Sequence, residues 1–139
     1  MQSDLIVQSI ERAAERCDDL TPLVYARLFR QRPETEPMFR KQPKDLAKGE
    51  MLAQTLQAIL DIIGKGRYGA HMIQCEVLSH NHYGVPVETF GVFFDVVADT
   101  IRDVIGNDWT AETDAAWKQL LVELNRHVVD PNHTAAAAG

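Results

Sequence analysis

Apolar residues recur along this chain at intervals of three and four positions, the spacing that places side chains on one face of an α-helix. Stretches that alternate strictly between apolar and polar residues, which would indicate β-strands, do not compete with this pattern. The pattern predicts an all-α chain of six to seven helices. We expect them at about residues 4–17, 21–32, 45–63, 70–82, 86–105 and 111–129, with a short proline-bounded turn over 33–39.

Threonine, proline and glycine mark the ends of the predicted helices. We expect Thr21 to cap the second helix by accepting a hydrogen bond from its free amide groups, with Pro22 in the first turn. Gly64 ends the long helix that begins near residue 45, and Gly69 is expected to keep the following connector loose. Because Asp130-Pro131 ends the last helix, we assign residues 1–130 to one domain and 131–139 to a flexible C-terminal tail.

The composition is that of one globular domain, with 139 residues, 45% of them apolar and 24% charged. A net charge of −6 argues against nucleic acid or an anionic membrane surface as the main partner. No apolar run approaches the roughly 18 to 20 residues of a membrane span, and the start lacks the basic residues of a signal peptide, so we expect a cytoplasmic protein. Cys17 and Cys75 are interpreted as buried small residues.

The most informative segment is SHNHYGVP, residues 79–86. It places His80 four residues before Gly84-Val85 and precedes a long apolar helix. In this respect it resembles the end of the proximal helix of globins and the turn that follows it.

Two further segments carry the same resemblance. Tyr25 and Phe29, followed by Pro33-Glu34 and Phe39, occur in the order found in single-domain bacterial hemoglobins and in the globin domain of flavohemoglobins. The DAAW segment, residues 114–117, is similar to a motif in the last helix of the same group. The chain therefore resembles the globin family over nearly its whole length.

The resemblance implies a globin fold that holds b-type haem (iron protoporphyrin IX) between the helix of Leu52 and the helix of His80. The imidazole of His80 would be the axial ligand of the iron. The residues that the resemblance assigns to the haem pocket are Tyr25, Phe39, Lys48, Leu52, His80, Val85, Phe90 and Phe93.

His80 is the one of the five histidines that has the globin spacing to Gly84-Val85. A ligating imidazole normally donates its other N–H, and the backbone carbonyl of Glu76 or the hydroxyl of Ser79 could accept it. The alternative is a helix-terminal histidine without a ligand role. His82 is expected to reach water or a haem propionate.

On the opposite face of the haem, the Tyr25 hydroxyl would donate a hydrogen bond to bound dioxygen, and the alternative is a core tyrosine bonded to a backbone carbonyl. Lys48 stands where related proteins carry glutamine or histidine. It could turn outward to a propionate, donate to a bound ligand or, if deprotonated, bind ferric iron. The segment before this helix is about one residue shorter than in those proteins, so Gln54 or Glu50 could occupy the pocket instead.

Phe90 stands where flavohemoglobins carry a proximal tyrosine, and it has no hydroxyl, so their electron-donating proximal network is not expected. This favours reversible binding of dioxygen, with nitric oxide and carbon monoxide as further ligands. Two alternatives stay open. One is a haem enzyme, either a nitric oxide dioxygenase supplied by a separate reductase or a weak peroxidase; the other is a haem-free sensor or interaction module. The helix faces around Phe94 and Trp117 are either core or a dimer surface, so both a monomer and a homodimer are compatible with the sequence.

Overall fold

The computed structural model describes residues 2–40, 46–64, 66, 68–82 and 87–129. Seven α-helices and no β-strand occur in this part of the chain. The helices are α1 (Ser3–Arg16), α2 (Thr21–Gln31), α3 (Glu36–Arg40), α4 (Leu46–Ile63), α5 (Tyr68–His82), α6 (Val87–Ile105) and α7 (Ala111–Val129). Short 3-10 turns, Pro33–Thr35 and Gly106–Asp108, precede α3 and α7. The predicted all-α architecture is confirmed, and the predicted helix ends lie within two residues of the observed ones.

The cap of α2 differs from the prediction. Thr21 is the first residue of the helix rather than its cap, and its backbone N–H donates to Oδ1 of Asp19 at 3.0 Å. A short carboxylate two residues earlier can reach this free amide, so the threonine hydroxyl is not needed for it. The last helix does have a threonine cap, because the N–H of Thr113 donates to Oγ1 of Thr110 at 3.1 Å.

Buried core residues come from α1, α2, α4, α5, α6 and α7, and α1, α6 and α7 pack closely against one another. Trp117 is 1% exposed, and its indole N–H donates to Oγ of Ser9 at 2.9 Å. Phe94 is 4% exposed. The helix faces around Phe94 and Trp117 are therefore core, and they do not offer a dimer surface.

Helices α4 and α5 pack against each other, α5 also contacts α6 and α7, and α2 lies against both α4 and α6. None of the described helices is both long enough and apolar enough to span a membrane. The expectation that both cysteines are buried is wrong, because Cys17 is half-buried and Cys75 is exposed. Cys75 lies two residues from both Ile73 and Val77, which face the core, so helical geometry turns it to the outer side of α5. The predicted tail, residues 131–139, lies outside the described residues.

Candidate functional site

A pocket that is open on one side lies between α4, α5 and α6. The space within it is about 430 Å³ when the open solvent at its mouth is included. The residues around it are Met51, Gln54, Thr55 and Ala58 of α4, Met72, Ile73, Glu76 and His80 of α5, and Phe90, Phe93 and Phe94 of α6. Most of them are apolar, and the wall carries one imidazole and one carboxylate.

The close contact between α4 and α5 determines which of their residues face each other. The backbone N–H of Gly69 donates to Oδ2 of Asp61 at 2.6 Å. A Cβ atom on Gly69 would lie 2.6 Å from the carbonyl oxygen of Ala58, so the two backbones nearly touch here. In a pair of antiparallel helices, each further turn of one helix faces a further turn of the other, counted away from their contact in opposite chain directions. Met51 of α4 and His80 of α5 both line the pocket, and both lie further from this contact along their helices than Ala58 and Ile73 do.

His80 lies in the last turn of α5, and its side chain is 27% exposed. Its Nδ1 is 2.7 Å from the backbone carbonyl oxygen of Glu76, which confirms one of the two expected acceptors. Because a carbonyl oxygen can only accept, Nδ1 carries the proton, and in the neutral ring Nε2 has the lone pair that a metal ion would bind. The Glu76 side chain approaches the same nitrogen, with Oε2 at 3.6 Å from Nδ1.

Phenylalanines of α6 form the pocket wall beside His80. The Phe90 ring meets the His80 ring edge to face, with 5.0 Å between the ring centroids and 78° between the ring planes. Phe94 packs on Phe90 at 6.0 Å, also edge to face. Phe93 is 4% exposed and lines the pocket further along α6. Phe90 and Phe93, which the resemblance assigned to the haem pocket, thus surround the same space as His80.

Tyr25 lies in an aromatic cluster with Phe29, Phe39 and Phe93. Burial raises the pKa of the Tyr25 hydroxyl far above its ordinary value, so this group stays protonated and is able to donate. It donates to the backbone carbonyl of Lys48 at 3.1 Å, as the alternative interpretation of a core tyrosine expects. Tyr25 does not itself line the pocket, but Phe93 belongs both to its cluster and to the pocket wall.

Lys48 lies in the first turn of α4, half-buried over the same aromatic cluster. Its Nζ is 5.3 Å from the centroid of the Phe29 ring and 5.9 Å from that of Tyr25. An ammonium group near aromatic faces is attracted by their π electrons. The three roles expected for Lys48 at a haem stay predictions, and each would compete with this contact.

The side of α4 that lines the pocket is not the one expected. Leu52 is 4% exposed in the core and is not among the residues around the pocket, which Met51, Gln54 and Ala58 line instead. Consecutive helix residues are rotated by about 100°, so a small difference in register changes which side faces the pocket. Of the two alternatives considered for such a shift, Gln54 lines the pocket, whereas Glu50 is exposed outside it.

The other described histidines lie outside the pocket. His71 is exposed on α5, with Nε2 at 3.6 Å from Sγ of Cys75. His127 of α7 is half-buried, and its Nδ1 is enclosed without a hydrogen-bond partner in the described part of the chain. Val85 and the side chain of His82 lie outside what the structure describes.

Several residues of the pocket were not singled out from the sequence, namely Met51, Thr55, Met72, Ile73 and the carboxylate of Glu76. Their spacing of three and four residues along α4 and α5 was visible. The same spacing occurs wherever a helix faces the core, so periodicity does not separate a pocket wall from ordinary packing.

An all-α fold in which one histidine is held at the wall of an apolar pocket defines a class of helical proteins able to hold a prosthetic group between their helices. The family model for globins matches residues 23–128, a range that includes Tyr25, the pocket and His80. The chain therefore belongs to the globin family. Curated proteins and solved structures give no significant match.

Proposed function

We propose that this globin binds b-type haem through Nε2 of His80 and reversibly holds a diatomic gas, above all dioxygen, on the iron. The main support is the hydrogen bond from His80 Nδ1 to the Glu76 carbonyl, because it leaves Nε2 as the ligating nitrogen at the wall of a largely apolar pocket. Membership of the globin family supports the same conclusion.

The chemistry of the pocket fits a haem group. Neutral imidazole is the usual axial ligand of oxygen-binding haem proteins, and apolar walls suit the porphyrin plane. When bound, haem supplies the iron on which the gas is held. The residues of the chain keep the proton on Nδ1 of His80, hold its ring against Phe90, and exclude water with Phe93 and Phe94. Exclusion of water slows the oxidation of ferrous iron that water assists.

Two kinds of donor are available for the bound gas. Gln54, whose side chain ends in an amide, is among the residues that line the pocket, whereas the hydroxyl of Tyr25 bonds the Lys48 carbonyl and its ring packs on Phe93. A donor that reaches the outer oxygen of bound dioxygen slows its release. We include both residues as candidates for this role.

The sequence resemblance to single-domain bacterial hemoglobins suggests dioxygen, nitric oxide and carbon monoxide as ligands and the cytoplasm as location. The carboxylate near His80 favours one second candidate, a nitric oxide dioxygenase, because a negative charge beside the axial ligand assists redox chemistry at iron. Such turnover would need a separate reductase. It is tested by mixing the oxygenated protein with nitric oxide and an added reductant and following its repeated oxidation.

The proposal is tested by adding haemin to the purified full-length protein and recording the visible spectrum in the ferric, reduced and carbon monoxide forms. We expect a sharp Soret band that saturates at one haem per chain, and His80→Ala should abolish tight binding. His71→Ala is the matched control, because His71 is on the same helix but exposed outside the pocket. It should bind haem as the wild type does.

Two results would contradict the proposal in different ways. If the wild type takes up haemin no more tightly than His80→Ala, His80 is not a haem ligand and the haem-free sensor becomes the better interpretation. If His71→Ala loses haem and His80→Ala keeps it, the axial ligand is on the outer side of α5.

A further inference from the structure

Glu76 presents two groups to the same nitrogen of His80. Its backbone carbonyl oxygen lies 2.7 Å from Nδ1, and its carboxylate Oε2 lies 3.6 Å from Nδ1. Both contacts follow from the spacing of four residues, which places the two side chains one above the other on α5. The backbone bond would survive any substitution at position 76, but the negative charge would not.

The carboxylate is the one formal negative charge among the residues around the pocket. Phe90, which meets the His80 ring from α6, offers no hydrogen-bonding group. The expectation that the proximal side lacks an electron-donating group was based on Phe90 alone. In the structure a carboxylate, that of Glu76, lies beside the histidine on α5, one turn earlier in the helix.

A carboxylate beside the N–H of an imidazole makes the opposite ring nitrogen a better electron donor, because it stabilises the positive charge that the ring gains on binding a metal ion. Ferric iron carries one more positive charge than ferrous iron and gains more from that donation. A nearby negative charge therefore favours the ferric state and lowers the reduction potential.

We propose that Glu76 is a positioning residue whose carboxylate strengthens His80 as a donor to the iron and thereby lowers the reduction potential of the bound haem. This inference rests on the proposed function, in which His80 is the axial ligand. The side chains of His80 and Glu76 are 27% and 44% exposed, so solvent weakens the interaction. We therefore expect an effect of about tenfold, the lower end of the change in metal affinity or activity that follows the loss of an outer partner of a metal ligand.

The test is the reduction potential of the haem-loaded full-length protein, measured by spectroelectrochemical titration. Glu76→Gln keeps the backbone bond and nearly the same shape, but removes the charge. We expect the preference for ferric over ferrous iron to fall about tenfold, which is a positive shift of about 59 mV for one electron. The iron–histidine stretching frequency of the ferrous form, measured by resonance Raman spectroscopy, should fall as well.

Two further variants separate this role from a structural one. Glu88→Gln makes the same charge change at an exposed acid in the first turn of α6, and should leave the potential and the stretching frequency close to wild type. Glu76→Asp keeps the charge on a shorter side chain and should lie between the wild type and Glu76→Gln.

The outcomes distinguish this inference from the proposed function. If Glu76→Gln binds haem but its potential and stretching frequency equal those of the wild type, the carboxylate has no such role, while His80 ligation stands. If the wild type does not bind haem through His80, the proposed function itself fails. If Glu76→Gln holds haem too weakly for titration, the rates of haem loss from its ferric and ferrous forms are measured instead. A ratio of these two rates equal to that of the wild type overturns the inference.

Discussion

At the scale of single residues, Tyr25 has a hydroxyl with two competing uses. In the structure it donates to the carbonyl of Lys48, a contact that fixes α2 against the start of α4. With haem bound, the same hydroxyl could donate to dioxygen. Because burial raises its pKa in the structure without haem, the hydroxyl is protonated there and able to donate.

Tyr25→Phe should lower the free energy of unfolding of the haem-free protein by about 1 kcal/mol, the usual net contribution of one hydrogen bond. The Lys48 carbonyl keeps the acceptor role that α-helix geometry gives it within α4, which limits the loss. Urea unfolding followed by circular dichroism measures this change. Tyr68→Phe is the control, because Tyr68 is 72% exposed, and it should change stability by less than about 0.5 kcal/mol.

The same variant also tests whether the Tyr25 hydroxyl donates a hydrogen bond to the gas once haem is bound. If the Tyr25 hydroxyl turns to the gas, Tyr25→Phe should release dioxygen about tenfold faster in stopped-flow measurements, as expected for the loss of about 1.4 kcal/mol. An unchanged release rate together with lower stability would make Tyr25 a core tyrosine and leave Gln54 as the donor to examine.

Some features of the site depend only on residues close in sequence, and others depend on packing between helices. The Nδ1 acceptor of His80 could be predicted, because it depends only on a spacing of four residues within one helix. The pocket-facing side of α4 could not, because its rotation depends on long-range packing against Gly69. Leu52 and Met51 are neighbours in sequence, yet one is in the core and the other at the pocket.

At the scale of helices, the contact between α4 and α5 determines where the pocket begins. Gly69 was expected to loosen a connector. It is instead a buried residue in the first turn of α5, where the missing side chain lets the carbonyl of Ala58 approach. A glycine that permits close packing and a glycine that permits flexibility look the same in a sequence, because both functions use the absence of a Cβ atom.

Gly69→Ala should destabilise the protein by about 1–3 kcal/mol, because the added Cβ would meet a backbone carbonyl at 2.6 Å and that carbonyl cannot turn aside as a side chain would. Gly49→Ala makes the same chemical change within α4, where a Cβ would have nothing within 4 Å. That variant should be more stable by about 0.5–1 kcal/mol, since alanine favours the helix. Equal effects of the two substitutions on urea unfolding would show that α4 and α5 do not approach closely at Gly69.

At the scale of the whole molecule, the first and last helices of the described chain, α1 and α7, pack against each other. Ser9 of α1 and Trp117 of α7 are 108 residues apart in sequence and share a buried hydrogen bond. Ile6, Ile101, Leu120 and Leu124 are fully buried as well, as their helical spacing predicts. The buried serine could not be foreseen, because serine is usually a surface residue and its partner lies on a distant helix.

Ser9→Ala should lower the free energy of unfolding by about 1–2 kcal/mol. Loss of the hydroxyl leaves the indole N–H of Trp117 buried without its acceptor, at a cost of about 1–3 kcal/mol, and the better helix propensity of alanine offsets about 0.5 kcal/mol. Ser79→Ala, at an exposed position of α5, is the control and should change stability by less than about 0.5 kcal/mol.

The Ser9→Ala variant also tests whether the packing of α1 on α7 affects the shape of the pocket. Neither Ser9 nor Trp117 lines the pocket, which α4, α5 and α6 form. The haem-loaded variant should therefore keep the Soret band position and the stoichiometry of the wild type while unfolding at lower urea concentration. A shifted Soret band would mean that the packing of α1 on α7 reaches the pocket, and α5 and α6, the two pocket helices that contact α7, would be the elements that connect them.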